Sequence, residues 1–143
     1  MPVPINQNKP ADLIISNGLA SMGIALPGAI GAKLACPNAP VICITGDGGA
    51  LMNIAELETA KRLGLSFIVI VLNNSSLFLE EQMMQEKFSH SFGTDFGNPD
   101  FVQLAESFGV KGVRPTLLSE FEQALKDALH QTNELTLIDA FQK

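Results

Sequence analysis

Apolar positions along the chain follow two alternating rhythms. Val41–Thr45 and Phe67–Leu72 are short, continuously apolar runs, the pattern of strands covered on both faces of a parallel sheet. Leu13–Ser16, Lys111–Arg114 and Leu135–Asp139 complete a set of five strand candidates, with the second long run extended to Phe67–Asn73. Between them the period changes to that of a helix. Asn98-Pro99-Asp100 offers a cap, a proline for the first turn and an acid. Phe101, Leu104, Ala105 and Phe108 follow at helical spacing, and Gly109 ends the run. Ser119-Glu-Phe-Glu122 has the form of a capping box, ahead of a stripe of Phe121, Ala124, Leu125, Ala128 and Leu129. Strands alternating with helices predict an α/β fold: a three-layer, doubly wound parallel sheet with helices on both faces.

The central unit is Val41–Thr45, the loop Gly46-Asp47-Gly48-Gly49, a helix over Met52–Leu63, and Phe67–Leu72. Glu58 and Arg62 stand at i,i+4 on the outer face of that helix, and Gly64 closes it. Two parallel strands joined by one right-handed crossover end on the same edge of the sheet. Gly46–Gly49 and Asn73–Ser76 should therefore lie side by side, on the edge where open α/β sheets bind ligands.

Composition narrows the possibilities. The chain has 143 residues, 46% of them apolar, enough for one domain with a real core. We place that domain at 13–143, after an N-terminal extension over 1–12. A net charge of −6 argues against nucleic acid, whose backbone is held by clustered Lys and Arg. The longest apolar run falls far short of the ~20 residues that span a bilayer, and no signal peptide is visible. Cys36 and Cys43 read as two buried, reduced thiols of a cytoplasmic protein.

The candidate chemistry sits on the shared edge. Glycines in Gly46-Asp47-Gly48-Gly49 let backbone N–H groups approach phosphate oxygens. Asp47 adds one hard anionic oxygen, the kind Mg²⁺ prefers. Alone, this tetrapeptide is a common turn. Asn73 and Asn74, 26 and 27 residues after Asp47, change its meaning, because an Asn oxygen is a neutral Mg²⁺ ligand. An acidic protein that holds a diphosphate needs such a metal or backbone N–H groups.

The stretch from Gly46 to Asn74 resembles the signature of thiamine diphosphate enzymes, a Gly-Asp-Gly followed some way downstream by Asn-Asn. Asn17-Gly-Leu-Ala-Ser-Met-Gly-Ile-Ala-Leu-Pro-Gly28 and Asp95-Phe-Gly-Asn-Pro-Asp-Phe-Val-Gln-Leu-Ala105 are similar to the C-terminal domain of acetolactate synthase-like enzymes, within the pyruvate oxidase and decarboxylase group. The resemblance implies that Asp47 and Asn74 are side-chain ligands of Mg²⁺ and that Ser76 gives its backbone carbonyl. It implies that Gly46, Gly48 and Gly49 line the diphosphate, with N–H groups from Gly48 and Gly49. Met22 would wedge beneath the cofactor and hold its rings in a bent conformation, while the carbonyl of Ala20 accepts from the aminopyrimidine. Three positions depart from the family: Ala20 stands where Gly is common, Asn74 where Asp is frequent, and Leu77-Phe-Leu-Glu80 where Tyr-Gly usually follows.

Enzymes of this kind resemble one another in building the cofactor site from two domains. The second, a pyrimidine-binding domain or subunit, supplies the glutamate that bonds the pyrimidine ring. Glu56, Glu58, Glu80, Glu81 and Glu86 lie within the present domain and match no such position, so no catalytic residue is expected in this chain. The resemblance thus implies a component of a 2-oxo acid decarboxylase or carboligase, assembled as a homo- or hetero-oligomer. A non-catalytic cofactor-binding module is the alternative.

Overall fold

The chain folds around four parallel strands: β1 (Ile42–Gly46), β2 (Ile68–Asn73), β3 (Lys111–Val113) and β4 (Thr136–Phe141), in the order β1-β2-β4-β3. The computed structural model describes residues 13–141 other than 17, 20 and 132. The extension assigned to 1–12 and the Ala20 carbonyl thus lie outside the described residues. Six helices surround the sheet: α1 (Ala25–Ala35), α2 (Asp47–Asn53), α3 (Glu56–Arg62), α4 (Phe78–Phe88), α5 (Phe101–Ser107) and α6 (Leu118–His130). None is long and apolar enough to cross a membrane.

The strands alternate their side chains between two cores. On one face Cys43, Val69, Val71 and Leu137 meet Leu26 and Ile30 of α1, Ala50 of α2, Leu57 and Ala60 of α3, and Phe101 and Ala105 of α5. On the other, Ile68, Ile70 and Ile138 meet α6 through Phe121, Ala124, Leu125 and Ala128. This is the expected three-layer α/β arrangement, with unequal layers. The single helix α6 covers β2 and β4 and leaves β1 bare. Ile42 and Ile44 are consequently 43% and 59% exposed, so Val41–Thr45 is not covered on both faces as its continuous apolar run suggested. Leu72 is exposed beside them. Among the described residues β2 is its sole partner, which leaves β1 at an edge of the described sheet.

Other expectations shift at the level of local bonding. Leu13–Ser16 is not a strand: its described residues pair with nothing in the sheet, and Ile14 and Ile15 point outward. The helix read as Met52–Leu63 begins earlier, at Asp47, and breaks at Ile54–Ala55, where the amides of Leu57 and Glu58 bond three residues back to Ile54 and Ala55. Gly64 and Gly109 adopt φ of +65° and +70° at the helix ends where they were placed, a conformation that glycine reaches without Cβ strain. Glu58 and Arg62 pair at 3.0 Å. The cap of α6 moves two residues toward the N-terminus, with Glu120 accepting from the amides of Thr116 and Leu117. Helix α1 had no sequence expectation; its Pro27 falls in the first turn, where no N–H is required. Both cysteines are free, but Cys36 is exposed rather than buried. Cys43 is buried, and desolvation pushes its thiol up to about 11.

Candidate cofactor and metal site

The register Gly46↔Leu72 sets the residues that follow β1 and β2 against each other at the carboxyl edge. Asp47 is the first residue of α2 and is only 2% exposed. Its two oxygens are used differently. Oδ2 accepts from the amides of Asn74 at 3.2 Å and Ser75 at 2.7 Å, and from Asn98 Nδ2 at 2.7 Å. Oδ1 accepts only from the Gly48 amide, at 2.9 Å. Three donors therefore fix Oδ2, and Oδ1, bonded once, keeps a lone pair.

The turn after β2 is shaped for this. Ser75 is left-handed, with φ of +59°, which bends the chain so that successive amides face Asp47. Asn74 Oδ1 accepts from the Ser76 amide at 3.2 Å, an Asx turn. Residues 75–77 run antiparallel to 94–96 through Phe96 N–H to Ser75 O and Leu77 N–H to Thr94 O, around a Ser76–Asp95 bridge. Those two bonds bypass the Ser76 carbonyl. The Ser76 hydroxyl donates to Glu81 Oε2 at 2.9 Å.

Met22, Leu77 and Phe96 roof Gly48. A Cβ on that glycine would lie 2.7 Å from Leu77 Cδ2, 3.2 Å from Met22 Cε and 3.6 Å from Phe96 Cζ. A Cβ on Gly49 would meet Thr45 Oγ1 at 2.8 Å. Met22 is half-exposed at the site and does not belong to either core. The turn that carries it is held by Asn53 Nδ2, which donates to the Gly23 carbonyl at 2.9 Å. The structure thus brings together Asp47, Asn74, Ser76, Gly46, Gly48, Gly49 and Met22.

One residue of the site was read otherwise in the sequence. Asn98 is not a helix cap; Asp100 caps α5, accepting from the amides of Val102 and Gln103 at 3.0 and 3.1 Å. Asn98 instead reaches Asp47. It also donates to Asn73 Oδ1 at 2.7 Å, and Asn73 Nδ2 donates to Asp139 Oδ1 at 2.9 Å. Arg114 Nε closes on Asp139 Oδ2 at 2.8 Å and the same guanidinium reaches Asp100. The hint was present: Asn-Pro-Asp offers two capping side chains, and a helix needs one. Hydrogen bonding to Arg114 is the main reason the Asp100 carboxyl is held below its usual 3.8. Arg114 is raised in turn, first by Asp100 and then by Asp139.

The donor set is hard and sparsely charged. Among the described residues no three His, Cys, Asp or Glu side chains cluster to hold a metal by themselves. Asp47 brings one charge, Asn74 and a backbone carbonyl bring none. Such a set suits Mg²⁺ that completes its octahedron with phosphate oxygens and water, and Gly46, ahead of Asp47, has open space where a Cβ would stand. The residues present fit the group that the motif implies.

Comparisons with known proteins show the family. Residues 3–140 match the family described as thiamine pyrophosphate enzyme, C-terminal TPP binding domain. The acetolactate synthase large subunit of Buchnera aphidicola subsp. Schizaphis graminum is 44% identical over 133 residues, covering 92% of this chain and 23% of the relative. The large subunit of acetolactate synthase isozyme 2 from Escherichia coli K12 is 41% identical over 130 residues, covering 88% and 23%. Among solved structures, a thiamine diphosphate-dependent 4-hydroxybenzoylformate decarboxylase from Rhodococcus jostii RHA1 superposes with a TM-score of 0.79 at 33% identity, over 85% of this chain and 23% of its own. The chain thus spans about a quarter of the length of these relatives. It belongs to the thiamine pyrophosphate enzyme family, as the C-terminal, cofactor-binding domain.

Proposed function

We propose that this chain holds thiamine diphosphate through Mg²⁺, as the cofactor-binding part of a 2-oxo acid decarboxylase or carboligase of the acetolactate synthase kind. The observation that supports this most is Asp47, a buried carboxylate with one oxygen anchored by three donors and the other bonded once. Oδ1 would bind the cation, with Asn74 Oδ1 and the Ser76 carbonyl as its neutral protein ligands. Gly46, Gly48 and Gly49 would line the diphosphate, the Gly48 amide being shared with Asp47. Met22 would support the rings from below, and the resemblance assigns the aminopyrimidine contact to the carbonyl of Ala20, outside the described residues. When bound, the cofactor supplies a nucleophilic thiazolium carbon and an electron sink for decarboxylation.

Everything this chain contributes is binding and orientation. Glu81 is engaged by Ser76, and Glu58 is paired with Arg62. The resemblance assigns the activating glutamate to a pyrimidine-binding domain or subunit, in a homo- or hetero-oligomer. The test is calorimetry of thiamine diphosphate with Mg²⁺ and with chelator, followed by CO₂ release from a panel of 2-oxo acids with and without such a partner. We expect binding that the chelator abolishes, and turnover only in the mixture. Equal binding in chelator would overturn the metal assignment; turnover by the chain alone would overturn the need for a partner.

A further inference from the structure

We infer that Asn98 is a positioning residue for the metal carboxylate: its amide nitrogen holds Asp47, and its buried, unpartnered Oδ1 is kept as an acceptor for a donor that the bound metal–diphosphate group brings. This rests on the reading of the site given above. The orientation of the amides is forced by chemistry. Asp139 is fully buried, and as a carboxylate it can only accept, so Asn73 must turn its Nδ2 toward it. Asn73 Oδ1 then faces away and requires a donor, which Asn98 Nδ2 supplies at 2.7 Å. The same Nδ2 meets the second carboxylate, Asp47, at 2.7 Å. Flipping either amide would set oxygen against oxygen at one end of the chain of bonds.

Two consequences follow for Asn98. Its Nδ2 is spent on Asp47 and Asn73, with a longer contact to Ser75 Oγ at 3.4 Å. Its Oδ1 is left buried with no hydrogen-bond partner, a costly state for an amide oxygen unless a donor arrives. That acceptor belongs to a residue in direct contact with Asp47. A water on Mg²⁺ is the class of donor such an oxygen takes, as outer-layer partners of metal sites commonly do. Holding a ligand carboxylate and accepting from the ion's water both act on metal affinity rather than on the fold.

The experiment compares the full chain with Asn98→Ala and, should that variant fold poorly, Asn98→Ser. Calorimetry and thermal melts are run across Mg²⁺ concentrations with thiamine diphosphate as probe. The half-saturating Mg²⁺ concentration should rise about tenfold to a hundredfold, the usual effect of removing such a partner. At saturating Mg²⁺ the cofactor affinity should return close to that of the unaltered chain. A purely structural role would lower the ligand-free melting temperature and leave the Mg²⁺ dependence and the ligand-induced rise unchanged, and that result would overturn the inference while sparing the site reading. No Mg²⁺-dependent binding in the unaltered chain would overturn both.

Discussion

Two segments leave the same edge of the sheet and are finished in opposite ways. After β1, Asp47 is buried within a closed set of hydrogen bonds that runs through Asn98, Asn73 and Asp139 to Arg114 and Asp100. After β2, helix α4 buries none of its eleven residues, and Phe78, Leu79, Met83 and Phe88 are all more than half exposed. The polar half is bonded within the chain except at Asn98 Oδ1, which has no partner. The apolar half presents the kind of surface that, when contiguous, marks an interaction site. The contrast teaches that bonding around the proposed metal ligands and adhesion beside them are separate properties, alterable one at a time.

The strongest way to break the closed half is Arg114→Leu, which leaves Asp139 buried without its counter-charge. We expect a loss of about 3 kcal/mol in urea unfolding, at the low end for a broken buried pair because Arg114 is partly exposed. The pair with Asp100 adds a pH signature. Its carboxyl is depressed below 3.8 in the folded chain, so that contribution is fully present above the unfolded value and disappears as pH falls through the lower folded one. The gap between Arg114→Leu and the unaltered chain should thus narrow below about pH 4 and be flat near neutrality.

Next in size is Asp47→Ala, for which we expect Mg²⁺-dependent cofactor affinity to fall more than about a hundredfold by calorimetry, since the only anionic ligand is lost. Four donors lose their acceptor as well, which adds about 1–3 kcal/mol of destabilisation. Asn74→Ala removes a neutral ligand and should cost roughly tenfold in affinity. The open half is sharpened by Phe78→Glu with Met83→Glu. Sedimentation should show weaker self-association, while unfolding changes by less than about 0.5 kcal/mol because nothing buried is touched. Smallest is Glu58→Ala, at about 0.3 kcal/mol for an exposed i,i+4 pair.

Much of this was legible in the sequence, for reasons that differ by element. β2 declared itself because helices cover both of its faces, and its pattern is almost wholly buried. Gly64 and Gly109 were legible because a left-handed helix end leaves few alternatives to glycine. Spacing set Asp47 beside Asn73 and Asn74 once two parallel strands were assumed, and the resemblance singled out Asn74. β1 misled, since an apolar run reports what residues prefer and not whether a helix arrives to cover them. Asn98 escaped because capping a helix and bridging two side chains call for the same short amide. The break at Ile54–Ala55 has no proline or glycine to announce it.

The bare strand β1 also has a bearing on anyone who handles this protein in a tube. An edge strand offers unpaired backbone groups as a template, and natural proteins blunt such edges with lysine, proline or a bulge. Ile42-Cys-Ile-Thr-Gly46 contains neither lysine nor proline, and two of its isoleucines lie in the open. Concentrating the chain brings these ribbons together, and precipitation would then set in by strand addition without any loss of the native fold. Ile44→Lys, at the more exposed of the two isoleucines, places a charge on the ribbon without disturbing either core, and is the first change to try for a more soluble preparation.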